Sequence, residues 1–160
     1  MIIERCVVPT TTHQAKQIVK RGKFASLADK PELVKATDFW HRMLYKHKPD
    51  VPMEGPLRLE IYIWHPHRTS SPKKFKSEVR WKDTKPDCDN LSKTITDVMA
   101  SLSFFKDDGQ VGELFVNKYW SGVPGFAIVL IHQHRLTVSL EKFEENRQHL
   151  IERFSEGYIA

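Results

Sequence analysis

The fold of this chain depends most on residues 85–111, which read KPDCDNLSKTITDVMASLSFFKDDGQV. Apolar residues recur at helical spacing over residues 91–102, which predicts a helix with Asp89 as its N-cap. Residues 104–109 end in Asp-Asp-Gly, which is typical of a turn, and a strand is predicted over residues 111–120. The segment therefore indicates a helix, a turn and a strand in succession.

Acidic side chains gather at the start of the predicted helix. Asp87 and Asp89 are two residues apart in an extended lead-in, so their side chains can share one face of the chain. Lys93 and Asp97 follow Asp89 at intervals of four, which stacks these three residues on the helix face opposite the apolar stripe. Lys93 and Asp97 can also form a simple surface ion pair.

A second acidic pair, Asp107 and Asp108, follows the helix. Mg²⁺ is often held by a few carboxylates, with water and substrate phosphate completing its shell. In a basic protein, four such aspartates and a lysine indicate metal-assisted phosphodiester chemistry on nucleic acid. A helix of this length spans roughly 18 Å, so Asp108 can meet Asp89 only if the chain doubles back into an antiparallel strand. Asp107 is either a ligand or only part of the turn.

Composition bounds the class of protein. The 160 residues fit one domain, and 40% hydrophobic residues are enough for a core. A net charge of +5 and a pI near 9.2 favour a polyanionic partner. Two cysteines, Cys6 and Cys88, are too few for a disulfide framework or a zinc tetrad. With no long apolar run and no signal peptide, we expect a cytoplasmic protein without a membrane partner.

The rest of the chain predicts an α+β (mixed α/β) fold. We expect a small mixed sheet of about four strands, two core helices and a C-terminal helix, in a single domain over 1–160 with 136–160 as a helical extension. The predicted elements are a strand over 2–8, an irregular basic loop over 10–31, a helix of about 17 residues from Pro31, an alternating strand from Leu57 to Trp64, a long loop over 65–85, a central apolar strand from Phe126 to His132, and a helix over 139–155. The apolar stripe predicted for the first helix consists of Val34, Phe39, Trp40, Met43 and Leu44.

The elements KPDCDNLSK, TDVM and FFKDDGQV, with their spacing over residues 85–111, resemble the core motif of the RusA-type Holliday junction resolvases. The resemblance implies a mixed α/β homodimer that cuts four-way DNA junctions with Mg²⁺, for which Mn²⁺ substitutes. By motif position it implies that Asp87, Asp89 and Asp108 are the essential carboxylates and that Lys93 is the motif lysine. The C-terminal helix and the acid Asp83 before the motif depart from the short family members.

Basic residues in two long loops are predicted to bind DNA. The loop over 65–85 leads directly into the acids, and Phe75 and Trp81 lie among its charges, where they can stack on exposed bases or anchor the core. The expected phosphate contacts are Lys73, Lys74, Lys76, Arg80, Lys82 and Lys85 from this loop, and Lys20, Arg21 and Lys23 from the earlier one. A solvated charged loop is the alternative.

Other metal sites fit the sequence less well. An EF-hand loop from Asp87 would have Ser92 where Gly is needed and Val98 where Glu is needed. Two pairs of alternating histidines, His65-x-His67 and His132-x-His134, are weak evidence for a zinc site, because each pair would share one strand face. We therefore expect a metal-dependent, structure-selective endodeoxyribonuclease that resolves Holliday junctions and other branched DNA in recombination and repair, in a bacterial or prophage setting. The alternative is a non-catalytic accessory protein of the same fold that binds branched DNA.

Overall fold

The computed structural model describes residues 1–11, 16–21 and 24–132. The predicted helix at 139–155, the extension over 136–160, Lys23 and His134 lie outside these ranges. Within them, no helix combines the length and the apolar character that crossing a membrane requires.

The described residues contain strands and helices at the following bounds: β1 Ile2–Glu4, β2 Lys16–Arg21, β3 Phe24–Asp29, α1 Pro31–Tyr45, β4 Leu57–Pro66, β5 Arg80–Trp81, α2 Cys88–Ser101, β6 Val111–Ser121 and β7 Gly125–His132. Short 3₁₀ helices at Lys73–Phe75 and Asp108–Gln110 precede β5 and β6.

Five of the strands form one mixed sheet in the order β1-β7-β4-β6-β5. β4 and β6 are parallel, and the other neighbours are antiparallel. The α+β class is thereby confirmed, and β7 is an interior strand as predicted. The sheet has five strands rather than about four because the two-residue β5 adds to the edge of β6, inside the segment predicted to be a loop.

The alternation in β4 explains its central position. Leu57, Leu59, Ile61 and Ile63 are fully buried on one face, and the residues between them are only half-buried. Burial of one such side chain stabilises the fold by roughly 1.5–3 kcal/mol. The apolar face of β4 is therefore the centre of the core.

Helices α1 and α2 pack beside each other, and both contribute residues to this core. α1 begins at Pro31, as predicted, and its Trp40 packs edge-on against Phe126 of β7, with ring centroids 4.9 Å apart. Val34 was expected on the buried stripe, but it is 47% exposed and the neighbouring Leu33 is buried instead. The rest of the predicted stripe is confirmed, because Trp40 and Leu44 are buried and Phe39 and Met43 pack against the core.

Residues 10–31 were expected to form an irregular loop, and this prediction is wrong. β2 and β3 pair as an antiparallel hairpin, from Lys16 opposite Asp29 to Arg21 opposite Phe24. The sequence offered a signal for it, because Gly22 lies between two β-compatible runs. β1 is also shorter than predicted, since it ends at Glu4 rather than continuing to Val8.

Candidate active site

Helix α2 presents two acids at its N-terminus. The helix begins at Cys88, so Asp87 is the N-cap, where Asp89 was predicted, and Asp89 lies in the first turn. Both residues are exposed, and in the described chain no group donates a hydrogen bond to either carboxylate. The partial positive charge of a helix N-terminus favours anionic groups there. The helix start therefore defines the backbone positions of the two acids, and their carboxylate oxygens remain available to a ligand.

Lys93 and Asp97 continue the exposed face of α2 that Asp89 begins. The predicted stacking of these three residues on one face is confirmed. Lys93 Nζ lies 3.9 Å from Asp97 Oδ1, and both side chains are about half exposed. An exposed pair at this separation contributes little stability. The Lys93 ammonium group therefore remains free to approach a substrate anion.

Asp107 has a structural role in the turn after α2. Its Oδ1 accepts a hydrogen bond from Gly109 N at 2.7 Å, and Gln110 Oε1 accepts one from Asp107 N at 3.1 Å. Gln110 Nε2 also donates to the carbonyl oxygens of Met53 and Gly55. This capping box fixes the 3₁₀ helix that carries Asp108, whose exposed carboxylate accepts no hydrogen bond from the described residues.

Asp108 lies at the opposite end of α2 from Asp87 and Asp89. Only residues 102–107 separate the end of α2 from Asp108, and the 3₁₀ helix stays against α2. The 14 residues of α2 span roughly 21 Å. β6 does run back along the helix, but by the time it reaches the first acids the chain has arrived at Lys118. The expectation that this reversal brings Asp108 to Asp89 within one chain is therefore wrong.

Lys118 holds the loop that leads into α2. Its Nζ donates to the carbonyl oxygens of Thr84 at 2.8 Å and Pro86 at 2.7 Å. These bonds fix the backbone immediately before Asp87 and so set where the helix begins. No sequence pattern indicates this role, because a single lysine in a strand is ordinary and only the register of β6 brings it to the loop.

Lys82 also donates hydrogen bonds to the loop that leads into α2. Its Nζ donates to Thr84 O at 3.0 Å, to Thr84 Oγ1 at 2.6 Å and to the carbonyl oxygen of Lys85. The side chain is only 5% exposed, and burial, followed by the nearby charge of Lys118, lowers the pKa of Lys82. An ammonium group has three donors, so none is left for a phosphate. Lys82 was predicted to contact DNA, but the structure gives it this internal role.

A buried histidine lies beside the two lysines. His65, at the end of β4, is 1% exposed and meets the edge of the Trp120 ring, and neither ring nitrogen has a hydrogen-bond partner among the described residues. Burial, followed by the charges of Lys82 and Lys118, lowers the pKa of His65 to about 4. The ring is therefore neutral at physiological pH and fills space under the loop.

The remaining basic residues of the loop over 65–85 are exposed. The Arg80 guanidinium lies over the Phe75 ring, 3.8 Å from its centroid, and Lys74 Nζ lies 4.9 Å from the same ring. The hairpin places Lys20 and Arg21 at the end of β2. The exposed candidates for phosphate contact are thus Lys73, Lys74, Lys76, Arg80 and Lys85.

Comparison with known proteins places this arrangement in a family. The family model described as Endodeoxyribonuclease RusA matches residues 7–131, which is well over half of the chain. This chain belongs to the RusA endodeoxyribonuclease family. Among curated proteins, it is 34% identical over 70 residues to the crossover junction endodeoxyribonuclease rusA of Lactococcus phage r1t, a match that covers 42% of this chain and 50% of the phage protein.

A second similar protein is the uncharacterized protein YqaN of Bacillus subtilis (strain 168). The two chains are 32% identical over 91 residues, which covers 53% of this chain and 63% of YqaN. The matches therefore span between half and two thirds of the lengths of these curated relatives.

The donors of this RusA-family site suit a hard cation, but one chain does not assemble them. Asp87, Asp89 and Asp108 offer carboxylate oxygens, which are the ligands that Mg²⁺ prefers. Within residues 1–11, 16–21 and 24–132, however, no three His, Cys, Asp or Glu side chains are grouped so that they could hold a metal ion. The separation along α2 explains this for the acids. For the zinc alternative, His67 instead makes a hydrogen bond with a loop carbonyl.

Proposed function

We propose that this protein is a metal-dependent endodeoxyribonuclease that cuts branched DNA, and four-way junctions in particular. Membership of the RusA family carries the proposal. The arrangement around α2 supports it, because Asp87 and Asp89 lie at the helix N-terminus, are exposed and accept no hydrogen bond from the described residues. A phage relative that is named a crossover junction endodeoxyribonuclease supports the choice of substrate.

The proposed metal is Mg²⁺, with Mn²⁺ as a substitute, held by carboxylates of Asp87, Asp89 and Asp108. When bound, such an ion lowers the pKa of a ligated water and stabilises charge on a phosphodiester. The protein's own side chains do the remaining work. Lys93, one turn along α2 from Asp89, offers an exposed ammonium group to the phosphate, and the lysines of the loop over 65–85 hold neighbouring phosphates.

The proposal includes a homodimer in which each site draws on both copies. Asp108 is roughly 20 Å from Asp87 and Asp89 along α2, so a site that contains all three acids needs a second chain. A two-fold axis beside α2, relating two antiparallel helices, would place Asp108 of each copy near the first acids of the other. The same symmetry supplies two sites, which matches the two nicks that resolving a junction requires.

We extend the proposal to recombination and repair of branched DNA, because the phage relative is named for cutting crossover junctions, and we expect the protein to act in the cytoplasm. Removal of single carboxylates provides the main test. Asp87→Asn, Asp89→Asn and Asp108→Asn should each abolish nicking of a synthetic four-way junction in Mg²⁺ while binding in Ca²⁺ persists. Asp38→Asn is the matched control, because it removes an exposed carboxylate from helix α1 that is not part of the proposed site.

A cleavage defect in the Asp38 control equal to that of the other variants would refute the assignment of the site. Nicking that survives exhaustive treatment with EDTA would refute the metal. A wild-type protein that binds junctions but never nicks them in Mg²⁺ or Mn²⁺ would instead favour the non-catalytic accessory protein.

Mixing two inactive variants tests the shared site. If the acids come from two copies, a heterodimer of Asp87→Asn and Asp108→Asn contains one site with both defects and one site with none, so nicking returns. If all acids come from one chain, every site in the mixture stays defective. Restored nicking on mixing, with none in either variant alone, supports the shared site, and its absence in a verified heterodimer refutes it.

A further inference from the structure

A small cavity lies at the edge of the sheet, a few residues before the acids. Its volume is about 220 Å³, and aromatic and polar side chains line it: Phe75, Trp81, Trp120, His67, Arg80 and Asp83. Trp81 belongs to the edge strand β5, and the chain continues from it through the lysine-supported loop directly to Asp87. A group bound in the cavity would therefore lie beside the segment that leads into the proposed site.

Trp81 is unusually exposed for its size. Its side chain is 70% exposed, yet one side of the ring packs on Tyr119, with centroids 4.6 Å apart. Tyr119 stacks in turn on Trp64, and Trp64 on Tyr62, with centroid separations of 6.0 and 6.2 Å. The row supports one side of the Trp81 ring, and most of the ring surface is open to solvent. An indole with an open face is suited to stack on another flat ring.

The charges around the cavity indicate which part of a ligand enters it. Arg80 lines the cavity and already lies on Phe75, while Arg68 and Lys82 lie over the Trp120 ring. These cations favour an anionic partner overall. Asp83 also lines the cavity, and its carboxylate would repel a phosphate placed inside. The part that enters is therefore a flat uncharged ring, and the negative charge of the ligand stays outside, near Arg80.

We propose that this cavity receives one unpaired nucleobase from the strand to be cut, with the base stacked on Trp81 and its phosphate beside Arg80. The inference rests on the proposed function and explains how the protein would distinguish branched DNA from duplex DNA. A base near a branch point costs less to unstack than one inside a duplex, and the aromatic wall compensates for that cost. Regular duplex offers no such base and so does not occupy the cavity.

The test compares two DNAs that differ by one base. One duplex carries a single unpaired nucleotide, and the other carries an abasic nucleotide at the same position, with binding measured in Ca²⁺. Wild-type protein should bind the base-containing duplex roughly fivefold to a hundredfold more tightly, which is the range for one base–aromatic stack. Trp81→Ala should lose this preference, and Trp81→Phe should retain part of it.

Tyr62→Ala is the matched control, because Tyr62 belongs to the same aromatic row but does not line the cavity. It should keep the wild-type preference. The salt dependence of binding should also be unchanged in Trp81→Ala, since stacking releases no counterions. Arg80→Ala should instead lower the slope of log K against log salt by about one unit.

Equal affinity of the wild type for the two DNAs, or an undiminished preference in Trp81→Ala, would overturn the inference. The inference would also fail if the wild type is a dimer and Trp81→Ala is a monomer in sedimentation equilibrium, because the Trp81 ring would then lie between two copies of the chain. The binding assay is independent of cleavage. If the wild-type protein nicks junctions but binds the two DNAs equally, only this inference is refuted. If it binds the base-containing DNA more tightly but never nicks junctions, only the proposed nuclease activity is refuted.

Discussion

Substituting His65 by Leu should make the protein less sensitive to acid. His65 is buried without a hydrogen bond on either ring nitrogen within the described residues, and its pKa in the folded protein is about 4 against an ordinary value of 6.5. At pH values between these two pKa values, His65 binds a proton in the unfolded chain but not in the folded chain. Stability that is fully present above about pH 7 is therefore lost as the pH falls through 6.5 toward 4.

The size of the effect follows from the two pKa values. A difference of about 2.5 units, from 6.5 to about 4, corresponds to about 3 kcal/mol once the pH is below both values. At pH 5 the protonation of the unfolded chain alone costs about 2 kcal/mol. Leucine has a similar volume and does not titrate, so this part of the pH dependence should disappear in His65→Leu.

Chemical denaturation at pH 7.5 and pH 5, at one fixed protein concentration, measures the difference. The free energy of unfolding of the wild type should fall by about 2 kcal/mol more than that of His65→Leu. His41→Leu removes an exposed histidine on α1 and controls for histidine loss in general. Parallel pH dependences for wild type and His65→Leu would show that the buried ring does not carry this linkage, and the account of the site beneath the loop would fail.

Lys118→Met should lower the rate of junction nicking at least tenfold, because the loop before Asp87 loses two hydrogen bonds, while circular dichroism should show intact secondary structure. Lys118→Arg should recover part of the rate. A wild-type rate in Lys118→Met would contradict the positioning role. Gly125→Ala should lower the free energy of unfolding by roughly 1–3 kcal/mol, since a Cβ there would lie 2.4 Å from the carbonyl oxygen of Glu4; an unchanged denaturation midpoint would mean that β1 shifts freely. Changing Lys73, Lys74 and Lys76 to Ala should weaken binding to every DNA shape and lower the slope of log K against log salt by about one to three units. An unaltered slope would show that this loop is only a solvated surface.

Much of the fold was predictable because its signals are local. The alternation from Leu57 to Trp64 predicted β4, Pro31 predicted the start of α1, and the apolar stripe after Asp89 predicted α2. Each of these patterns acts over a few residues, so neighbouring side chains suffice to define it. The motif over residues 85–111 likewise carried the family, because it depends on residue types and spacing rather than on tertiary contacts.

Local patterns were weaker where two signals competed. The predicted N-cap was Asp89, but the helix begins two residues earlier in effect, with Asp87 as its N-cap. Either aspartate suits the position by type, and the choice depends on the loop backbone that Lys82 and Lys118 hold. The hairpin over 16–29 was missed because its positive charges suggested a solvated loop, whereas strand pairing satisfied its backbone.

The arrangement of the acids depended entirely on tertiary structure. Sequence spacing places Asp89 and Asp108 nineteen positions apart, which is compatible with contact or with separation by the whole length of α2. The direction of β6 and its register with β4 decide between these outcomes, and pairings of this kind are long-range. They return Lys118, not Asp108, to the start of α2, and they bury His65 and Lys82 beneath the loop. The residue types needed for the chemistry could be read from the chain, but their separation in space follows only from how the strands pair.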